Sequence, residues 1–293
     1  MASAPIHQRH ALIERLRELM PNISVRKLCM LLNINRQWYY QHRGCSVQND
    51  RDRPLCLALQ VLRKDFAGYG YRRMTKALQR DGWKINHKRV ERVMHQAGLT
   101  CRRKPRYVHT TDSKHGEPVY PNLIKELPIE ALNQCWVADL TYVHLPEGFV
   151  YLACVLDAYS RKCIGWSLSR KMDSSLPLQA LEMALAQRQV AAGLIHHSDR
   201  GRQYCSQVYV KRLQSMGARI SMSAPGQATE NARAESFFKT VKYEEVYVHK
   251  YQTFEEAQAH LQAFLEEVYN AKRLHSSLAY VPPDEFEADY LKC

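Results

Sequence analysis

The chain has 293 residues, with 42 Lys and Arg against 29 Asp and Glu, a net charge of +13. At roughly 150 residues per domain the length suggests about two domains, and a 45% apolar content excludes a disordered chain. No apolar run approaches the ~18 residues of a membrane span, and the N-terminus MASAPIHQRH lacks a signal-peptide core, so a cytoplasmic protein is expected. The nine cysteines form no C-x-x-C pair, which disfavours a zinc knuckle or a disulfide framework. The charge is uneven. Residues 1–120 hold 24 Lys and Arg against 9 Asp and Glu, whereas residues 121–293 hold 18 against 20. That asymmetry fits a nucleic-acid-binding module joined to a near-neutral second domain.

In chain order, residues 8–20 place Ile13, Leu16 and Met20 on one helical face. Ser24 is a plausible N-cap for a helix through about Leu32. The turn Leu32 to Asn35 leads to a third helix, Arg36 to Arg43, whose Trp38, Tyr39 and Tyr40 read as core. Two short helices around a tight turn suggest a helix-turn-helix, although an ordinary three-helix unit has the same pattern. A helix from about Asp52 to Lys64 follows, and GYGYRR (Gly68 to Arg73) breaks it. Helices over 72–80 and His87 to Gln96 come next, the second stopping at Gly98. In HKRVERVMHQ, Val90, Val93 and Met94 pack inward and leave Lys88, Arg89 and Arg92 exposed, a second candidate recognition helix. Residues 101–128 hold four prolines and read as a basic linker.

From 134 the period becomes strand-like. QCWVADLTYVHL, a Pro146-Glu147-Gly148 turn, FVYLACVLDAYS and RKCIGWSLS predict three strands joined by short turns. The longest apolar run, Phe149 to Leu156, lies in the second. A helix in SSLPLQALEMALAQR, a strand at 194–199, a helix at 206–216 and a strand at 219–223 follow. A loop at 224–229 precedes a helix at about 230–243, and a last helix runs from about Thr253 to Ala271. The order argues for an α/β domain.

Three acids interrupt this pattern. Asp139 lies within the first strand, Asp199 closes LIHHSD, and Glu235 lies one turn into the helix after the loop. An Asp in a central strand is costly unless paired or metal-bound. Hard cations such as Mg²⁺ want several carboxylate oxygens. Singly, each Asp also reads as a strand-end hydrogen bonder. The gaps leave 59 residues between the aspartates and 35 between Asp199 and Glu235. At ideal helical spacing, 231, 235, 238 and 242 share one face, which directs Asn231, Glu235 and Lys242 the same way.

These spacings, with HSDRGRQY (197–204), SMSAPG (221–226), NARAESFFKTVKYE (231–244) and the segment 69–99, carry a resemblance. The chain resembles bacterial insertion-sequence transposases of the "IS-three" group, OrfB-type, with a DDE, retroviral-integrase-like catalytic core. The likeness runs from about Arg26 to Phe286. Glu230 departs from the group's commoner Asp before the Asn, and no HHCC zinc pattern is present. The resemblance implies an RNase H-like catalytic domain, a mixed five-stranded sheet with flanking helices, preceded by an all-α helix-turn-helix DNA-binding region. The implied domains are 1–48, 49–105, a linker 106–130, and the core 131–293. It implies that Asp139, Asp199 and Glu235 are catalytic and bind two Mg²⁺, with Mn²⁺ as a substitute. Lys242, a basic residue seven positions after the Glu, would meet a DNA terminus. Asn231, Arg72, Arg73, Lys88, Arg89 and Arg92 complete the candidate DNA contacts. His197 and Ser198 match a motif of the group but read as packing, and Asp157 as structural. The implied reaction is strand cleavage followed by 3′-OH strand transfer, by a homo-oligomer on double-stranded DNA in the bacterial nucleoid. The rival reading is a DNA-binding regulator that does not cut, or a subunit active only with, or fused to, an upstream OrfA product.

Overall fold

The computed structural model describes residues 12, 13, 15–17, 19, 20, 22–37, 39, 45–101, 118–224 and 231–292, with backbone alone for 45–50. The chain divides into two compact units, 1–58 and 59–293. In the first, Ile13, Leu28, Cys29, Ile34 and Tyr39 form one buried apolar cluster. Helix α1 (Val25–Leu31) starts where its sequence says it should, because the Ser24 hydroxyl accepts the Lys27 N–H and satisfies an orphan donor. Residues 36, 37 and 39 are helical. The rest of the expected third helix, with Tyr40, and also Trp38 lie outside the described residues, as do most of the 101–128 linker and the 224–229 loop.

Helix α2 (Cys45–Asp65) starts earlier than the expected Asp52 and carries Pro54 inside it. A proline removes one backbone hydrogen bond, and the helix continues through it nonetheless. Helices α3 (Tyr71–Arg80) and α4 (His87–Gln96) follow. Asn86 caps α4 by accepting the Lys88 N–H at 2.9 Å, and Gly98 just beyond it sits at φ +66°. Val90, Val93 and Met94 are buried as the 3.6-residue period requires.

The centre of the second unit is a five-stranded mixed sheet. Strands β1 (Cys135–Leu145), β2 (Gly148–Asp157), β3 (Cys163–Ser169), β4 (Ile195–Ser198) and β5 (Arg219–Met222) lie in the order β3-β2-β1-β4-β5. The first three run antiparallel, and β4 and β5 run parallel to β1. Helix α5 (Ser175–Gln187), the short α6 (Arg202–Cys205) and α7 (Gln207–Ser215) cover one face. There Trp136, Ala138, Val155, Ile164, Leu181, Tyr209 and Leu213 form a dry core. Helix α8 (Ala232–Val241), α9 (Phe254–Ala263) and a π-helical segment Phe264–Asn270 cover the other. Val143, Leu145, Leu152, Phe237, Phe238, Leu261 and Phe264 pack there. This is the expected RNase H-like arrangement of a mixed sheet between helical layers.

The helix expected over 230–243 changes pitch. It begins at Ala232 and passes at Lys242 into a π-helical segment, Lys242–Val246. The expected single helix to Ala271 likewise turns π at Phe264. Such wider turns displace the side chains that follow, so spacing along an ideal helix no longer fixes their direction.

The GYGYRR breaker is a docking point. Tyr69 is fully buried, and its hydroxyl oxygen accepts the Leu274 N–H at 2.6 Å. A Cβ on Gly68 would stand 2.3 Å from the Glu244 side chain, so only glycine allows that approach. Helix α3 is further tied to α10 (Pro283–Tyr290) by Arg80 and Glu285. The described cysteines Cys29, Cys56, Cys101, Cys135, Cys154, Cys163 and Cys205 are outside any disulfide. Among the described residues no helix is long and apolar enough to cross a membrane.

Candidate active site

The acids are placed by strand register. Val137 pairs with His197 across β1 and β4, so two residues further along both chains Asp139 and Asp199 come level. Side chains alternate along a strand, and Val137, Val143 and Leu145 face the α8 and α9 layer. Asp139 therefore interrupts a mostly apolar stripe facing the helix that carries Glu235. Asp199 follows β4 at its carboxyl end, where open α/β sheets commonly hold ligands. Its Oδ1 accepts the Gly201 N–H at 2.9 Å, and a Cβ on Gly201 would sit 2.9 Å from that oxygen. Asp139 Oδ1 accepts the Leu140 N–H at 2.8 Å.

The electrostatics show that the acids converge. Burial pushes the Asp139 carboxyl well above the usual carboxylate range. The charge of Asp199 raises it further, the Leu140 N–H offsets part, Glu235 adds, and Lys242 lowers it. An all-oxygen cluster in which Asp199 and Glu235 oppose the ionisation of Asp139 suits a hard divalent cation, which would relieve that repulsion. Lys242 stands beside the cluster. Burial lowers its pKa while Asp139 raises it, and its Nζ lies 4.5 Å from the centre of the Tyr142 ring.

The four-residue face expected on α8 is only partly realised. Glu235 and Lys242 both reach the neighbourhood of Asp139, but Phe238 is buried in the apolar core. Asn231 sits at the N-cap, buried, and its Oδ1 has no hydrogen-bond partner among the described residues. His196 and His197 lie behind the site. His196 Nε2 meets the Tyr209 hydroxyl at 2.9 Å and His197 Nδ1 meets Ser221 Oγ at 2.8 Å. Burial drives His196 down to about 3, so its ring is neutral. Asp157 clamps a turn by accepting the N–H groups of Asn133, Tyr159 and Ser160.

The basic candidates separate into two groups. Arg72, Lys88 and Arg89 are exposed, and Arg92 is half-buried with Nη1 3.3 Å from Gln96 Oε1. Arg73 stands 5.7 Å over the Tyr69 ring, and burial lowers its pKa. A groove of about 640 Å³ between α3 and the start of α4 is lined by Arg72, Lys76, Gln79, Lys84 and Tyr280. Lys76 and Lys84 were not singled out by sequence, where they look like ordinary surface charges.

Comparison with known proteins agrees with this architecture. An integrase core domain model matches residues 130–228, a second integrase core domain model matches 216–283, and an HTH-like domain model matches 51–107. The chain is 35% identical over 268 residues to the insertion element IS600 uncharacterized 31 kDa protein of Shigella sonnei, covering 90% of this chain and 98% of that protein. It is 34% identical over 270 residues to transposase InsF for insertion sequence IS3A of Escherichia coli, covering 90% and 94%. A chain of the simian T-cell lymphotropic virus intasome, in complex with PP2A regulatory subunit B56 gamma, aligns with TM-score 0.44 and 16% identity, covering 74% of this chain and 70% of that one. With an integrase core, an HTH-like segment and this identity along nine-tenths of its length, the chain belongs to the family of IS3-type insertion-sequence transposases.

Proposed function

We propose that this chain binds insertion-sequence ends and cuts and rejoins DNA there, with Asp139, Asp199 and Glu235 as the catalytic, metal-binding triad. The observation that carries the reading is the Asp139 carboxyl. It is embedded in an apolar stripe, with Asp199 and Glu235 raising its pKa. A sheet would not keep such a cluster for its own stability. Bound Mg²⁺, two ions in this reading with Mn²⁺ as a substitute, supplies charge neutralisation at the attacking and leaving oxygens of a phosphodiester. The chain's own groups orient the carboxylates. The Leu140 N–H holds Asp139, the Gly201 N–H holds Asp199, and α8 brings in Glu235. Lys242, and Asn231 at the cap of the same helix, face the DNA terminus, where an ammonium positions a phosphate without reading sequence. Hydrolysis frees a 3′-OH, which then attacks a second phosphodiester in line with no covalent protein–DNA intermediate.

In this reading residues 131–293 are the catalytic core, 106–130 a linker, and 1–48 and 49–105 DNA-binding segments. Arg72, Lys88, Arg89 and Arg92 touch phosphates from α3 and α4, and Arg73 contributes from the junction with the core. The working form is a homo-oligomer on the paired ends, in the nucleoid, with an OrfA-type product as partner. The test is strand transfer on terminal-repeat DNA in Mg²⁺, with and without that product. Asp139→Asn, Asp199→Asn and Glu235→Gln should each abolish joining and leave end binding near wild type. Normal joining by any one of them overturns the triad. End binding without cleavage by the wild-type chain, in both arms, favours the regulator instead.

A further inference from the structure

A second group of metal-ligand side chains lies beyond the triad, a few residues past Lys242. Glu245 sits in the π-helical segment, His249 follows at i+4, and His260 comes from α9. Their ligand atoms all lie within 4.8 Å of one another. His249 Nε2 is 3.6 Å from Glu245 Oε2, and His260 Nδ1 is 3.4 Å from Glu245 Oε1. A hydrogen-bonded ion pair would close those distances to about 2.8 Å. The two contacts reach different oxygens of one carboxylate, so the three ligands surround a common point and need only a small contraction to reach a tetrahedral edge of about 3.3 Å. The two imidazole centroids are 4.6 Å apart and tilted by 46°, so the rings converge without stacking flat.

The surroundings resemble a ligand shell. The Tyr251 hydroxyl donates to Glu245 Oε1 at 2.8 Å and fixes the carboxylate, as outer groups commonly orient metal ligands. The Glu245 side chain is only 8% exposed, whereas both histidines are 41% exposed, which leaves a path for an ion. Two imidazoles and one carboxylate form a donor set suited to Zn²⁺ and its neighbours, unlike the all-oxygen triad. The geometry points to a Zn²⁺-class site formed by Glu245, His249 and His260, with a fourth position open to water. The ion would pin the segment after Lys242 to α9 and so brace the helix that carries Glu235.

The test uses the full chain, stripped with chelator and titrated with Zn²⁺, and with Co²⁺ as a spectroscopic probe. To silence the triad the titration is repeated in Asp199→Asn. One Zn²⁺ per chain is expected to bind the Asp199→Asn background, and at least one the wild type, each with the intense visible bands of tetrahedral Co²⁺ and a higher Tm. His249→Gln and His260→Gln, both at exposed positions, should each lose at least tenfold in Zn²⁺ affinity and lose the Co²⁺ bands and the Tm rise, while keeping the wild-type circular dichroism. The site is refuted if Zn²⁺ fails to bind the Asp199→Asn chain, or if the double His249→Gln/His260→Gln variant binds it as well as its parent. The outcome for the triad is read separately, from strand transfer in Mg²⁺.

Discussion

Two groups of acids in the same unit behave in opposite ways. Glu244 is 4% exposed and makes a two-pronged pair with Arg273, itself 3% exposed, at 2.7 and 2.8 Å. Asp157 is likewise satisfied by three backbone N–H groups. Asp139, Asp199 and Glu235 are instead turned on one another, and Asp139 is driven up by burial and by its acidic neighbours. A fold that can bury a carboxylate with an arginine, and does so two residues after Lys242, gives Asp139 acidic neighbours instead. In the proposed function the first kind of acid serves the fold and the second serves chemistry.

Variants can break that contrast from either side. The largest effect is expected at the open group, where Asp139→Asn, Asp199→Asn or Glu235→Gln takes strand transfer to background with the fold intact. Thermal melts alongside the joining assay check both halves. A melt that collapses would make these acids structural too. At the closed pair the expectation inverts. Arg273→Met strands a buried Glu244 and should cost about 3–5 kcal/mol of stability. The double variant Glu244→Met/Arg273→Met should recover most of it, as read by urea denaturation of each protein.

A smaller effect tests the neutral histidine behind the site. His196 is held near 3 in the folded chain against about 6.5 in an unfolded one. The unfolded state therefore takes up a proton first on acidification. Stability is full above about pH 6.5 and falls as pH drops towards 3. His196→Gln should flatten the Tm profile between those limits, and an unchanged slope would assign the acid sensitivity elsewhere. The smallest effect is at Lys242→Ala, which should weaken end binding and reduce the magnitude of the salt slope by about 1. An unchanged slope would confine Lys242 to its contacts with Tyr142 and Asp139.

Much of this was legible in the residues. The period-2 pattern from 134 onward marks three strands because alternation is local, and β1, β2 and β3 run where it places them. Ser24 and Gly98 mark helix ends because a cap is satisfied by atoms two or three residues away. The 59- and 35-residue gaps gave the acids an identity by resemblance before any geometry. The early start of α2 and the π turns at Lys242 and Phe264 were not legible, because a backbone hydrogen bond shifted by one residue leaves little trace in composition. Nor was the role of Arg73, whose neighbours Tyr69 and Arg273 are separated by two hundred residues of chain.

The sequence by itself determined most of the elements, the basic first part and the spacing of the three acids, since each of these is a property of neighbours along the chain. Only the tertiary structure decided which acids meet an arginine and which meet other acids, because that depends on groups brought together across the sheet. Gly165 makes the same point. A Cβ there would stand 2.1 Å from the Ala180 carbonyl oxygen, so its identity is dictated by the α5 backbone packed on β3. The meeting of Glu245 and His249 with His260 is of the same kind. The i+4 spacing of the first two is visible in the chain, and the third ligand arrives only when α9 folds back over the π turn.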